Sequence, residues 1–215
     1  MNLKLTKKLL KARLYVLITA FIAGRPAEEV ARLAIEGGAD IIQLREKDLS
    51  DREYLELARR VCKLAHDAQR LFIVNDRVAI AQLVRADGLH LGQDDLPPLA
   101  ARKIVGRDMI IGVSTHNIHQ ARQAVADGAD YIGVGPIFPT PTRGYQTGVG
   151  AAYIQEVIAE GIAIPFFAIG AITLENLDEV VSAGASRVAV SSAIIGAKDI
   201  AAVTAQFARR LHGRG

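Results

Sequence analysis

A chain of 215 residues that is 50% hydrophobic but only 5% aromatic, with no Trp, has the composition of an aliphatic α/β core rather than of a β-sandwich or a base-stacking surface. Its formal net charge of +3 is small and the acidic residues run through the whole length, so the basic pI of about 9.1 comes without the stripe that nucleic acid requires. One cysteine, Cys62, precludes an internal disulfide, and no apolar run approaches the ~20 residues of a membrane span. The expectation is a cytoplasmic protein that works on small molecules, with no nucleic acid and no membrane as partner; a homo-oligomer stays open.

In chain order, Met1 to Ala12 is basic and amphipathic without a continuous apolar stretch, and reads as a short leading helix rather than a targeting signal. Short aliphatic runs then predict strands over Leu14–Ile18, Ile41–Arg45, Leu71–Asn75, Gly88–Leu91, Met109–Val113, Tyr131–Gly135, Pro165–Ile169 and Arg187–Val190. Helical patterns separate them, among them Ala27–Glu36, Arg52–Gln69, Ile118–Asp127, Leu174–Ser182 and Ile200–Leu211. Gly37-Gly38, Gly128 and Gly184 stand where a helix must turn back into the sheet, a position suited to the left-handed C-cap. Eight strand–helix units without a linker predict one domain over 1–215, a (β/α)8 TIM barrel. A doubly wound sheet is the alternative, but Ile18-Thr19-Ala20-Phe21 has no glycine-rich turn after the first strand.

A barrel keeps its chemistry at the strand C-termini, so the polar residues there are the candidates. After strand two, alternation puts Gln43, Arg45 and Lys47 on one face and Leu44 and Glu46 on the other, and the two cations lack a same-face anion. Asn75-Asp76 ends strand three, and Asp95 follows strand four; these hard oxygen donors suit Mg²⁺, which keeps substrate phosphate among its ligands. His90, between Leu89 and Leu91, reads as a hydrogen-bonded core residue. Ser114-Thr115-His116-Asn117 ends strand five and must also cap the next helix. The long segment from Pro136 to Gly148 carries Thr140, Pro141, Thr142 and Arg143 and reads as a lid or binding loop. Gly170-Ala171 and Ser191-Ser192, after strands seven and eight, match a backbone phosphate site. Mg²⁺, Arg45, Lys47 and Arg143 bring about +5 and Asp76 with Asp95 removes 2, leaving a surplus of about +3 that a pyrophosphate ester neutralises. Two anionic subsites across one mouth imply transfer between two phosphorylated small molecules.

These segments together closely resemble the thiamine-phosphate synthase family over nearly the whole chain, from Tyr15 to Ile194. The resemblance is carried by Gln43-Leu44-Arg45-Glu46-Lys47, Asn75-Asp76, His90 to Asp95, Gly112-Val113-Ser114, and Gly135 to Thr142. It implies a Mg²⁺-dependent transferase joining hydroxymethylpyrimidine pyrophosphate to hydroxyethylthiazole phosphate through a pyrimidine cation. It places Gln43, Arg45, Lys47 and Asn75 on the pyrimidine pyrophosphate, with Leu44 and Glu46 in the same segment and Glu46 structural. Asp76 and Asp95 become metal ligands, and Ser114 touches the pyrimidine. Thr140, Pro141 and Thr142 line the thiazole side, Gly170, Ala171, Ser191 and Ser192 hold its phosphate, and Arg45, Lys47 and Arg143 are the catalytic cations. Two positions depart from the family pattern, which has Lys in place of Arg143 and Gly in place of Ala171; an alanine there costs stability if the backbone needs positive φ. A thiazole tautomerase, for which His116 stands in the right place, and a non-catalytic sensor of phosphorylated ligands are the rival readings.

Overall fold

Parallel strands covered on both faces read as continuous aliphatic runs, and those of this chain do so because helices pack outside them and other side chains fill the space within. The computed structural model describes residues 3–140 and 147–213. The strands are β1 Leu14–Ile18, β2 Ile41–Leu44, β3 Leu71–Asn75, β4 Gly88–Leu91, β5 Ile110–Thr115, β6 Tyr131–Val134, β7 Phe166–Ile169 and β8 Val188–Val190. All neighbouring pairs are parallel, and pairing of β8 with β1 closes the barrel in the order β1 to β8. The helices are α1 Leu3–Lys11, α2 Ala20–Ala23, α3 Ala27–Glu36, α4 Asp51–Asp67, α5 Val78–Leu83, α6 Pro98–Val105, α7 Ile118–Ala126, α8 Ala152–Ala159, α9 Leu177–Ser182, α10 Ser192–Ile195 and α11 Ile200–His212. None of the described helices is long and apolar enough to cross a membrane.

Period-two alternation divides the core in two. Val16, Ile42, Leu44, Phe72, Val74 and Leu89 face the helices. Tyr15, Leu17, Ile41, Ile73, Ile110, Tyr131 and Phe167 fill the barrel, and Leu9 and Ala12 join them. The leading helix α1 thus closes the barrel's N-terminal end, which leaves the opposite end for ligands.

The expected C-caps form. Gly38, Gly128 and Gly184 have φ of 97°, 78° and 105°. In the first, the Gly38 N–H donates to Ile35 O and the Ala39 N–H to Ala34 O, both at 3.0 Å, the paired bonds of a Schellman turn. The acidic residue after two of these turns then ties the entry of the next strand to the strand before it: Asp40 Oδ2 accepts from the N–H of Arg13 and Leu14 at the start of β1, and Asp130 Oδ2 from that of Ile111 in β5. Gln69 and Arg85 occupy the same left-handed position with φ of 59° and 54°, where a non-glycine residue gives no sequence signal.

Strand boundaries shift by a residue or two. β2 stops at Leu44, one residue before the expected end, and β5 extends to Thr115. α9 starts at Leu177 rather than Leu174 because Thr173 and Asn176 bind the backbone instead: Asn176 Oδ1 accepts from Thr173 N at 2.8 Å, and Thr173 Oγ1 from Glu175 N at 3.2 Å.

Candidate active site

At the C-terminal end of the barrel, a cavity of about 720 Å³, open solvent at its mouth included, is lined by residues from both halves of the ring. Arg45, Ser114, Thr140, Gly170, Ala171, Ser191 and Ser192 reach it as expected, joined by Thr19, Thr115 and His116. Pro141, Thr142 and Arg143 lie outside the described residues.

The segment after β2 is held from several sides. The Arg45 N–H donates to Ile18 O at 2.9 Å, and Thr19 Oγ1 donates to Arg45 O at 3.0 Å. Arg77, which has no obvious motif, stacks 4.5 Å over the Tyr54 ring and donates to Asp51 Oδ1 at 2.6 Å and to Leu49 O at 2.5 Å. Arg45 lines the cavity, with its Nε buried and unbonded. Leu44 and Glu46 do not line the cavity. The Leu44 side chain is in the outer core and its carbonyl accepts from Tyr54 at 2.5 Å. Glu46 Oε1 accepts from the Ala20 N–H at 2.5 Å, bracing the start of α2, and burial pushes its carboxyl above the usual range.

Arg45 and Lys47 both act on the Asp76 carboxyl, while Gln43 belongs to the strand that ends at Leu44. Gln43 points into the barrel, where it is 1% exposed. Lys47 is solvent-exposed and has an anion nearby, Asp76 Oδ2 at 3.7 Å. Arg45 is half-buried, with its Nε enclosed and without a hydrogen-bond partner.

Asp76 and Asp95 are brought together from neighbouring strand ends. Asp76 has φ of 61° and its N–H donates to His90 O at 2.9 Å, while Asp95 Oδ2 accepts from Gly92 N at 2.6 Å. Burial, then the hydrogen bond and charge of Asp95, push the Asp76 carboxyl up to about 6 against the pull of Lys47 and Arg45. A carboxyl raised by a neighbouring carboxylate gains from a cation placed between the two. No group of three or more His, Cys, Asp or Glu residues suited to a metal occurs among the described residues. A two-carboxylate site still fits Mg²⁺, which retains waters and takes substrate phosphate as further ligands. Asn75, 6% exposed, ends β3 immediately before this pair.

Asn117 supplies the cap of α7, its Oδ1 accepting from Gln120 N at 3.0 Å, which releases Ser114 and Thr115 from that duty. Thr115 Oγ1 instead donates to Gly133 O at 2.9 Å, and Tyr153 of α8 donates to it. His116 Nδ1 donates to Gly135 O at 2.5 Å. His90 is the buried, hydrogen-bonded residue expected, with Nδ1 2.9 Å from Tyr131 Oη and Nε2 2.9 Å from Ser114 Oγ. Across the mouth, Ser191 Oγ donates to Leu17 O at 3.1 Å, and Gly170 has φ of 110°, with its backbone so close to Pro136 that a Cβ would collide there.

Residues 14–194 match the family model described as thiamine monophosphate synthase (TMP-TENI). The chain belongs to this family. The thiamine-phosphate synthase of Halalkalibacterium halodurans is 49% identical over 205 residues, spanning 94% of this chain and 97% of that one. That of Shouchella clausii is 50% identical over 194 residues, or 89% and 92% of the two chains. A solved thiamine phosphate pyrophosphorylase from Pyrococcus furiosus superposes with a TM-score of 0.87 at 35% identity, covering 98% of both chains. These likenesses span the cavity wall from β1 through α10, so they include every described residue of the site.

Ala171 lies at φ of 48°, so the backbone there does take the positive φ at which an alanine costs stability. Its carbonyl accepts from Asn176 Nδ2 at 3.0 Å, which fixes the turn in that conformation. A left-handed alanine costs about 1 kcal/mol, so Ala171→Gly is expected to raise the melting temperature by about 2–4 °C in a domain of this size. Differential scanning calorimetry checks this; an unchanged or lower melting temperature contradicts it.

Proposed function

We propose that this family member is a thiamine-phosphate synthase, joining hydroxymethylpyrimidine pyrophosphate to hydroxyethylthiazole phosphate with release of pyrophosphate. The observation that carries the reading is the Asp76–Asp95 pair beside Arg45 and Lys47, in a chain that matches synthases along nearly its whole length. A tautomerase acting on the thiazole alone has no pyrophosphate to hold and no use for that pair.

Departure of pyrophosphate from the pyrimidine methylene leaves a cation that the ring stabilises, and the thiazole nitrogen captures it. Such a step asks for neutralisation of the leaving group and close positioning rather than for a general base. Arg45 meets the first demand: its main chain is held in place by the bonds to Ile18 and Thr19, and a ligand oxygen supplies the partner its Nε lacks. Lys47, exposed and only loosely engaged by Asp76, is free to swing onto the same group, and Arg143 is the third cation proposed for it. Asp76 and Asp95 would hold Mg²⁺, which supplies charge stabilisation to the departing pyrophosphate when bound. Asn75 and Ser114 orient the pyrimidine half. Gly170, Ala171, Ser191 and Ser192, with Thr140, form the side of the cavity assigned to the thiazole phosphate.

The test is to supply the purified protein with both precursors and Mg²⁺ and analyse the products by ¹H NMR. Thiamine phosphate is expected; isomerised thiazole in its place would establish the tautomerase instead.

The raised Asp76 carboxyl adds a pH dependence. A carboxyl raised in the folded state favours folding below its unfolded value near 3.8, and that contribution is lost as pH rises through about 6. A cation reverses the loss by displacing the proton, so Mg²⁺ binds about tenfold more weakly at pH 5 than at pH 7.5. Isothermal titration calorimetry at the two pH values measures this directly, and equal affinities would contradict the carboxylate-pair site.

A further inference from the structure

Five buried polar groups form one continuous chain across the inside of the barrel. Gln43 Nε2 donates to Tyr15 Oη at 2.5 Å, Tyr15 Oη lies 2.9 Å from Tyr131 Oη, Tyr131 Oη lies 2.9 Å from His90 Nδ1, and His90 Nε2 lies 2.9 Å from Ser114 Oγ. All five are at most 9% exposed, and Tyr131 is completely enclosed. The residues come from β2, β1, β6, β4 and β5, so no local sequence relationship accounts for the alignment. The rings also pack: Tyr15 and Tyr131 each meet Phe167 edge-on, with centroids 5.3 and 5.6 Å apart. Side chains so enclosed have few alternative rotamers, and the chain is geometrically fixed.

Donor accounting gives the chain a direction. With the Gln43 amide donating to Tyr15, a single proton at each link runs Tyr15 to Tyr131, Tyr131 to His90 Nδ1, and His90 Nε2–H to Ser114 Oγ. Tyr131 keeps its proton, since burial first and the neighbouring Tyr15 next push its phenol far above the usual range. In that arrangement the ends are complementary. Gln43 Oε1 is a buried acceptor with no partner, and the Ser114 hydroxyl, whose oxygen is already occupied by His90, directs its own proton into the cavity that it lines. A buried acceptor without a donor costs about 1–3 kcal/mol, which a ligand N–H recovers.

We propose that Tyr15, Tyr131 and His90 are positioning residues that hold His90 neutral as its Nε2–H tautomer and thereby present a fixed acceptor at Gln43 and a fixed donor at Ser114 to an amino-substituted nitrogen heterocycle. This rests on the proposed synthase reading for the identity of the heterocycle, the aminopyrimidine, but not for the state of the chain itself. A pair of opposite polarity reads an exocyclic amine beside a ring nitrogen and rejects a ring whose edge carries an oxygen acceptor in place of the amine, because acceptor would then face acceptor.

Two measurements separate the parts. ¹⁵N-histidine NMR of the ligand-free protein has only five histidines to resolve, and the His90 resonances are those missing from the His90→Gln spectrum. An Nε2–H tautomer at neutral pH is expected; an Nδ1–H tautomer or an imidazolium overturns the proposal whatever the enzyme's activity. Steady-state kinetics then test the role. Tyr131→Phe, which removes one oxygen, is expected to raise KM for the pyrimidine substrate at least tenfold while leaving KM for the thiazole phosphate within twofold. His90→Gln, which keeps a donor near the Nε2 position, is expected to retain more activity than His90→Asn, which keeps one near Nδ1. Equal changes in both KM values, or the reverse order of the two His90 variants at matched melting temperatures, overturn the positioning role. Wild-type protein inactive with both substrates would sink the synthase reading, and the NMR result would still decide the state of the chain.

Discussion

Arg45→Met is expected to slow turnover by about 10²–10³-fold, the usual cost of losing one preorganised charge donor, while the ligand-free protein melts at or above the wild-type temperature. The two effects have opposite signs for one reason. Without ligand, Arg45 holds a buried Nε that has no partner, and desolvating such a group costs about 1–3 kcal/mol. Methionine has similar length, flexes to fill the same volume and carries no polar atom to satisfy. The backbone bonds of residue 45, to Ile18 and Thr19, do not involve the side chain and survive the change. Calorimetry and steady-state kinetics on the same preparation measure both quantities. A variant that loses stability together with activity would make Arg45 a structural residue and remove the leading cation from the mechanism.

Gly112→Ala is expected to cost about 3 kcal/mol or more of stability, the upper part of the range for overpacking, and to abolish measurable activity. Gly112 pairs in register with Tyr131, and a Cβ added at Gly112 lands on the Tyr131 ring itself. That ring has nowhere to go, because Tyr15, His90 and Phe167 surround it. Displacement breaks its hydrogen bonds to Tyr15 and His90 and leaves buried polar groups unpaired. The double variant Gly112→Ala, Tyr131→Ala removes the collision and is expected to be more stable than additivity of the two single changes allows. Chemical denaturation of the four proteins in that cycle gives the coupling. Additive costs would mean that Gly112 and Tyr131 do not share one space.

The barrel was legible because each strand is a separate aliphatic run, as a parallel strand covered on both faces must be, and because Gly38, Gly128 and Gly184 mark the turns into β2, β6 and β8. The strand-end rule also located most of the cavity wall, including Ser114, Gly170 and Ser191. It applied equally to Thr19, which follows β1 directly and lines the same cavity.

What escaped was decided by groups distant in sequence. The strand ends at Leu44, and the anion near Lys47 is Asp76, which another strand supplies. Glu46 has its partner in the Ala20 N–H, set by the closure of β2 against β1. Arg77 orders the loop after β2 through carbonyls that any residue would provide, so its role leaves no motif. The polar chain from Gln43 to Ser114 depends on which inward side chains share a level inside a closed barrel, and the stagger between strands determines that, not spacing along the chain. Asp76 and Asp95 were identified by type and strand position, whereas the effect of Asp95 on the Asp76 proton required knowing that they touch.

The most direct test of the account is ³¹P NMR of one reaction containing the protein, both phosphorylated precursors and Mg²⁺. The account predicts that the pyrophosphate ester signals convert to inorganic pyrophosphate in step with the appearance of thiamine phosphate, and that neither change occurs without the thiazole phosphate or the metal. Persistence of the ester with both precursors present, or its breakdown with no thiamine phosphate formed, would contradict it.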